Sequence, residues 1–170
     1  MDMMSFWTGT LTGGLAGSVL AQFGQIIGWF ITRPKLSIRF DETTVGCRVE
    51  KDQHIYFRVK VHNTGLSTAT DVQLLFAIDE SEIYNMTWSG LSSDTASIPS
   101  KTYRFCDIYR LSLAERDLRI ETRSEAKKPE LTPETEITSY VYATSRNSAT
   151  ATKRIRLAYS TSVLRNTRIT

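Results

Sequence analysis

The sequence has few of the residues that build metal sites and nucleophilic sites. Its 170 residues include only two cysteines, Cys47 and Cys106, and two histidines, His54 and His62. No CxxC or HExxH spacing is present, and a zinc site needs more nitrogen and sulfur ligands close together. Two cysteines are also too few for a disulfide scaffold. The sequence therefore predicts no metal site and no cofactor.

Motifs of catalytic sites are absent as well. Neither cysteine lies in a local signature of a catalytic nucleophile, and no serine lies in a nucleophile elbow. No glycine-rich phosphate-binding loop is present. Cys106 falls within an alternating strand pattern and is expected to be a small core residue, whereas His62 is expected to be solvated. We predict that the protein is not an enzyme.

Charge is absent from most of the N-terminal segment. No residue from 3 to 32 is charged, and Asp2 is the only acid before Arg33. As a helix, the uncharged run of residues 6–32 would span about 40 Å, more than the roughly 30 Å hydrocarbon core of a bilayer. We therefore predict one transmembrane helix in this segment.

Two other interpretations of this segment are less consistent with it. A secretory signal peptide needs a basic N-terminal region, and the first four residues contain no Lys or Arg. A buried helix of a soluble protein would have to be surrounded on all sides, because no face carries charge. Tryptophans at positions 7 and 29 suit the two membrane interfaces. The predicted organisation is a transmembrane helix with its flanks, a folded domain and a C-terminal tail, over residues 1–34, 35–160 and 161–170.

The flanking charges predict the orientation of this helix. Three bases, Arg33, Lys35 and Arg39, follow the uncharged run, and none precedes it. Positive residues remain on the cytoplasmic side of a membrane. We expect an inner-membrane protein with its N-terminus outside and its C-terminal domain in the cytoplasm, where both thiols would stay reduced.

Small and bulky residues are sorted onto different faces of the predicted helix. A stripe of small residues at intervals of three or four consists of Thr10, Gly14, Gly17, Ala21, Gly24 and Gly28. A polar strip on its border consists of Ser18, Gln22 and Gln25. Helices associate in lipid through close backbone packing and interhelical hydrogen bonds. The pattern predicts packing against a second copy or a partner membrane protein, and the alternative is a polar strip that lines a water-filled pore.

After residue 35 the hydrophobic pattern changes to a period of two, which is typical of strands with one buried face. Loops rich in Ser, Thr, Asn, Asp and Pro separate the alternating segments. The pattern predicts a mainly β domain, an antiparallel sandwich of seven or eight strands. The predicted strands lie at residues 36–40, 55–61, 72–78, 84–88, 103–113, 118–122, 137–144 and 154–159.

Two segments carry a resemblance to known proteins. Residues 33–36, Arg-Pro-Lys-Leu, resemble the segment that follows the membrane helix in many small bacterial membrane proteins. Residues 56–72 are similar to the strand–turn–strand of immunoglobulin-like domains of the CARDB type, with Asn63-x-Gly65 in the turn and Ala69-x-x-Val72 after it. The resemblance implies an immunoglobulin-like fold and a role in adhesion, scaffolding or ligand recognition, and it implies no catalytic residues.

Basic residues recur on the polar side of several predicted strands. They are Arg58, Lys60, His62, Arg119, Arg123, Lys153, Arg154 and Arg156. If these strands adjoin, they form a cationic surface for anionic lipid headgroups or a phosphate ligand. The alternative is the ordinary alternation of a half-buried strand. The 21 bases and 17 acids after residue 32 (18 minus Asp2) give too mild an excess for a nucleic-acid-binding protein.

These observations predict a small membrane-anchored interaction module. Its helix would self-associate or join the helices of a partner, and its sandwich would recognise a cytoplasmic protein or ligand. Tyr140 and Tyr142 fall on one face and would mark a contact surface if they are exposed. One alternative, by analogy with bacterial defence systems, is an effector whose assembled helices perturb or permeate the membrane. A second alternative is an accessory subunit of a larger membrane complex.

Overall fold

The computed structural model describes residues 23–40, 45–78, 82–115, 117–122, 136–158 and 168–169. The chain divides into two compact units, Met1–Arg33 and Pro34–Thr170. Much of the predicted membrane helix therefore lies outside the described residues. This applies to six of its singled-out positions, Thr10, Gly14, Gly17, Ser18, Ala21 and Gln22.

In the first unit, residues 23–32 are helical. The Thr32 hydroxyl donates to the Gly28 carbonyl at 2.7 Å, and the Arg33 amide donates to the Trp29 carbonyl at 2.9 Å. Pro34 follows this last turn, and a proline disfavours helical geometry in the residue before it. Within the described part of the chain, no helix has the length and hydropathy required to cross a membrane.

The second unit consists of two antiparallel sheets, as the alternating pattern predicts. The strands, in chain order, are β1 (Leu36–Arg39), β2 (Arg48–Lys51), β3 (His54–Asn63), β4 (Ala69–Ile78), β5 (Glu82–Asn85), β6 (Thr95–Ile98), β7 (Tyr103–Ser112), β8 (Asp117–Ile120), β9 (Glu136–Ser145), β10 (Ser148–Ala158) and β11 (Arg168–Ile169). The five-stranded sheet has the order β1-β3-β7-β8, and β2 also pairs with β3. The six-stranded sheet has the order β11-β10-β9-β4-β5, and β6 also pairs with β4.

The described residues contain eleven strands, compared with the seven or eight predicted. The three additional strands are β2, β6 and β11, which have four residues or fewer. β11 lies in the segment predicted to be a C-terminal tail, and it pairs with the end of β10.

The core lies between the two sheets because alternate residues of the long strands face inward. β3 buries Ile55, Phe57, Val59 and Val61 completely. Trp88 is 1% exposed, and its indole N–H donates to the Val72 carbonyl at 3.1 Å, so it is a core residue whose polar group has a partner.

Both cysteines are buried, and no disulfide joins them. The Cys106 thiol lies 3.2 Å from the Thr87 carbonyl oxygen, and its side chain belongs to the core as predicted. Burial, followed by the nearby Asp107 carboxylate, raises the pKa of the Cys106 thiol well above its ordinary value. A thiol with a raised pKa in the core is a poor nucleophile.

The strand–turn–strand predicted over residues 56–72 is present, but its two strands belong to different sheets. β3 ends at Asn63 in the five-stranded sheet, and β4 begins at Ala69 in the six-stranded sheet. The intervening loop therefore crosses from one layer of the sandwich to the other. This crossing lies at the end of the sandwich where the chain enters β1, since Leu36 is paired with Asn63.

Candidate interaction surfaces

The helical residues 23–32 present large apolar side chains over more than half of the helix circumference. The exposed ones, each between 51% and 59% exposed, are Phe23, Ile26, Ile27, Trp29, Phe30 and Ile31. Three consecutive residues of a helix point in directions about 100° apart, so positions 29 to 31 alone cover an arc of about 200°. The remaining arc carries Gly24, Gln25, Gly28 and Thr32. So wide an apolar surface needs an apolar environment over most of the helix.

The small residues in this segment have open space around them. A Cβ atom added at Gly24 or at Gly28 would meet no heavy atom within 4 Å. The two glycines are one turn apart, with Gln25 beside them, so they lie along one line of the helix surface. Nothing within the described residues therefore requires glycine at these two positions.

An aromatic and cationic cluster closes this helical segment. The Arg33 guanidinium lies 5.0 Å from the centroid of the Phe30 ring and 5.9 Å from that of Trp29. The two rings contact each other edge to face at 5.0 Å. Aromatic rings and a neighbouring arginine are typical of the end of a membrane helix, where both groups reach the headgroup region.

The predicted basic residues of β3 lie on the outer face of the five-stranded sheet, and their charges are largely engaged. Arg58 Nε lies 2.5 Å from Asp107 Oδ1 on β7. Lys60 Nζ lies 3.7 Å above the centroid of the Tyr103 ring, which is a cation–π contact. His62 is partly buried between its register partners Ser37 and Tyr103.

The basic residue of β8 is also engaged with carboxylates. Arg119 Nε lies 2.8 Å from Asp117 Oδ2, and Arg119 Nη2 lies 3.2 Å from Glu115 Oε2. The hydrogen bond to Asp117 raises the pKa of the Arg119 guanidinium further above its ordinary value. Arg123, the other predicted base of this set, lies outside the described residues.

The bases of β10 belong to the other sheet and do not share one side. Arg154 and Arg156 are exposed on the outer face, whereas Lys153 lies on the same side of the strand as the buried Ile155 and Leu157. Arg156 Nε lies 3.7 Å from Glu136 Oε1.

Among the described residues, the predicted bases of β3, β8 and β10 do not lie on one common surface. β3 and β8 are separated by β7, and β10 lies in the opposite sheet. Alternation along a strand indicates which residues face outward, but it contains no information about which strands become neighbours. For Arg58 and Arg119, the neighbouring carboxylates also reduce the attraction that these bases can exert on an anionic ligand.

Tyr140 and Tyr142 lie on the outer face of the six-stranded sheet, and both are partly exposed. Cross-strand pairing places Tyr142 beside Leu75 and Tyr140 beside Ala77. Ile83 of the edge strand β5, which is 66% exposed, lies on the other side of Ala77. We call this patch of Leu75, Ile83, Tyr140 and Tyr142 the tyrosine face.

Two polar recesses lie at the edge of the five-stranded sheet. One of about 140 Å³ is lined by His54, Arg110, Ser112, Glu115, Asp117 and Arg119. Its two arginines already contact carboxylates, since Arg110 Nε lies 2.9 Å from Glu121 Oε1. The other, of about 350 Å³, lies beside Trp88 and Leu91. Among the residues that the structure places, no three His, Cys, Asp or Glu side chains lie together in a way that would hold a metal ion.

One structurally central residue has a different role from the one that the sequence indicated. The resemblance places residues 63–65 in a turn, and none of them adopts a positive φ. Asn63 instead ends β3 with its side chain completely buried. Its amide group forms hydrogen bonds of 2.7–3.2 Å with backbone atoms of Lys35, Gly65, Ser67 and Ile98.

No protein-family model matches the chain, and no curated protein has a significantly similar sequence.

Proposed function

We propose that the protein is a membrane-anchored interaction module. Its N-terminal helix lies in the bilayer and packs against a second copy or a partner's helix, and its sandwich recognises a protein on the cytoplasmic side. The exposed apolar surface of residues 23–32 is the observation that carries this proposal. Covering the six exposed side chains in lipid or protein would be worth on the order of 10 kcal/mol.

The uncharged sequence before this segment supports a bilayer rather than a shallow contact. Residues 3–22 contain no charge, so the sequence that precedes the helical segment is one that lipid tolerates. The first bases, Arg33 and Lys35, directly follow the helical residues, which favours a cytoplasmic C-terminal side. The open space around Gly24 and Gly28 supports a neighbouring helix at that line.

We further propose that the sandwich is immunoglobulin-like. In that fold, strands A, B, E and D form one sheet and strands C, F and G form the other. The orders β1-β3-β7 and β4-β9-β10 correspond to A-B-E and C-F-G. The position next to E is taken by β8, which follows β7 in the chain, whereas strand D precedes E in the immunoglobulin fold.

The tyrosine face is the surface that we assign to partner recognition. Protein interfaces are enriched in partly exposed tyrosines beside apolar residues, because a tyrosine ring buries area while its hydroxyl remains hydrated. The exposed Ile83 on an edge strand extends this patch. Replacing Ile83 with Glu should abolish co-purification of a cytoplasmic partner without unfolding the sandwich.

The anchor and its packing are tested together by flotation and mass measurement of the full chain. The protein should float with phospholipid vesicles, and in mild detergent it should have the mass of an oligomer. Combining Gly24→Leu with Gly28→Leu should reduce that mass to a monomer, whereas Ile27→Leu on another face should leave it unchanged. A protein that stays at the bottom of the gradient contradicts the proposed anchor, and an unchanged mass contradicts the packing line.

The same preparation separates the two alternative functions. Leakage of an encapsulated dye from the vesicles would support a membrane-permeating effector. Stoichiometric co-purification of another integral membrane protein would support an accessory subunit. An intact vesicle together with a soluble partner captured through the tyrosine face is the outcome that our proposal predicts.

A further inference from the structure

The end of the sandwich where the chain enters has an unusual composition. It consists of the segment before β1 and the three loops that the strand pairing places beside it: residues 34–36, 63–68, 99–102 and 145–148. We call this region the proximal end. All four segments belong to the described part of the chain, and they contain three bases and no acid. The bases are Lys35, Lys101 and Arg146, and the nearest acid in sequence is Asp71 on β4.

Hydrogen bonds hold these loops in one arrangement. The buried Asn63 connects the segment before β1 with the β3–β4 loop and the end of β6 through four side-chain hydrogen bonds. Asn147 ties the β9–β10 turn to the β3–β4 loop, because it donates to the Thr68 carbonyl at 2.9 Å and accepts from the Thr70 amide at 3.1 Å. The proximal end is therefore a preorganised surface rather than a set of independent loops.

Lys101 adopts a backbone conformation that favours glycine. Its φ is 59°, in the left-handed region, where a lysine is strained. Its ammonium group folds back to the Thr64 carbonyl at 2.6 Å and remains on the exposed side of the loop. A strained lysine at a turn that glycine would fit better suggests that the charge itself is used.

An exposed apolar side chain lies among these bases. Leu66 is 56% exposed in the β3–β4 loop, and the loop around it is held by the Ser100 hydroxyl, which donates to the Gly65 carbonyl at 2.8 Å. A leucine that is more than half exposed, in a loop that hydrogen-bonds to Lys35 and Lys101, matches the interface of an anionic bilayer, where headgroups bind cations and the acyl boundary accepts an apolar side chain.

We propose that the proximal end is a lipid-contacting surface of the bilayer that holds the helix. Leu66 enters the acyl boundary, and Lys35, Lys101 and Arg146 bind phosphate and carboxylate groups of anionic lipids. This inference rests on the proposed anchor, because residue 35 is two residues from Arg33 and the tether keeps this end close to the membrane. Each base favours the docked state about fivefold.

The cysteines of the natural chain allow a direct test with the full-length protein. Cys47 and Cys106 are completely buried, so a new surface cysteine can be labelled selectively in the folded state. We would attach the environment-sensitive fluorophore NBD to Leu66→Cys and reconstitute the protein in phosphatidylcholine vesicles with or without phosphatidylserine. A matched control is Ala158→Cys, an exposed position at the end of β10 that lies farthest from the proximal end.

NBD at position 66 should shift to the blue and be quenched by spin-labelled lipid in vesicles that contain phosphatidylserine, and added salt should reverse both effects. NBD at position 158 should show neither effect. Combining Lys101→Gly with Arg146→Gln should reduce the equilibrium constant for docking, measured at position 66, by about twenty-fivefold. The unchanged fold of this variant can be checked by circular dichroism.

Three outcomes would contradict different parts of this inference. If the labelled protein floats with the vesicles but position 66 is no more quenched than position 158, the lipid-contacting surface is refuted and the anchor stands. If the protein does not float, the anchor is refuted and this inference is refuted with it. Quenching at position 66 that is insensitive to phosphatidylserine and to the double substitution would also overturn the assigned role of the bases.

Discussion

The proximal end of the sandwich and the opposite, distal end are both formed by segments that connect strands, yet they differ in charge. The distal end carries the acids Asp52, Glu82, Glu115, Asp117 and Glu136. Several of them contact bases, as Arg119 contacts both Asp117 and Glu115. In the described residues, none of the proximal bases forms an ion pair.

This difference separates two uses of surface charge. Opposite charges that contact each other satisfy the sheet surface and leave little field for a ligand. Bases that form no ion pair, on loops that hydrogen bonds hold together, retain their field and attract anions. Arg58 on β3 and Arg119 on β8 belong to the first kind, and the bases of the proximal end belong to the second.

The largest expected effect concerns what holds the proximal end together. Asn63→Ala should lower the free energy of unfolding by about 3 kcal/mol, because it removes four hydrogen bonds and leaves buried backbone groups without partners. Asn147→Ala, at an exposed position with two hydrogen bonds, should cost about 1 kcal/mol. Urea denaturation measures both values. Equal losses would show that the buried hydrogen bonds of Asn63 stabilise the fold no more than the exposed ones of Asn147.

A smaller effect of opposite sign is expected at the strained lysine. Lys101→Gly should raise the free energy of unfolding by about 0.5 to 1 kcal/mol, because glycine adopts the left-handed backbone without strain. Lys51→Gly, in a strand where φ is negative, should lower it and serves as the control. A loss of stability in Lys101→Gly would mean that the side-chain contact with Thr64 outweighs the backbone strain.

The paired charges of the distal end should show a still smaller, salt-dependent effect. Arg119→Gln should lower the melting temperature by a few degrees at most in dilute buffer, and the difference should shrink at high salt. Arg146→Gln at the proximal end should leave the melting temperature unchanged or raise it, since it breaks no ion pair in the described structure. Thermal unfolding measured by circular dichroism at two salt concentrations checks both values. A larger loss of melting temperature in Arg146→Gln than in Arg119→Gln would contradict the comparison.

The smallest effect is expected for Tyr84→Phe, which should have almost no electrostatic effect on stability at neutral pH. Burial, then the hydrogen bond with Glu82 and its charge, raises the pKa of Tyr84 to about 12. As the pH rises, the phenol loses its proton at a higher pH in the folded protein than in the unfolded chain. Its contribution to the free energy of unfolding is therefore complete below pH 10 and is lost between pH 10 and about 12. The free energy of unfolding should fall less steeply across that pH range in Tyr84→Phe than in the unaltered chain. Identical slopes for the two proteins would contradict the raised pKa.

The sequence predicts the local part of this fold well. Alternation identifies long strands such as β3 and β4, because each has one buried and one solvated face. The layer to which each strand belongs depends on pairings between distant residues, as with Arg58 and Asp107, which are 49 positions apart. Pattern along one strand holds no information on such pairings, which is why the predicted cationic surface separates into two sheets.

The proximal end was only partly visible in the sequence. The motif Asn63-x-Gly65 correctly marks a loop between two strands, and an asparagine that bonds the backbone two residues later is a known reason for that motif. The partners Lys35 and Ile98, 28 and 35 positions away, come from tertiary structure alone. The grouping of Leu66 with three bases from separate loops follows from the same distant contacts.

Alkaline extraction of membranes from cells that express the full chain tests the central claim, bilayer residence of the N-terminal helix, most directly. The account predicts that the protein stays with the membrane pellet, and that Ile27→Arg combined with Phe30→Arg releases it, because two charges would enter the hydrocarbon. A control with Lys35→Gln should remain in the pellet. Recovery of the unaltered chain in the alkaline supernatant would contradict the account.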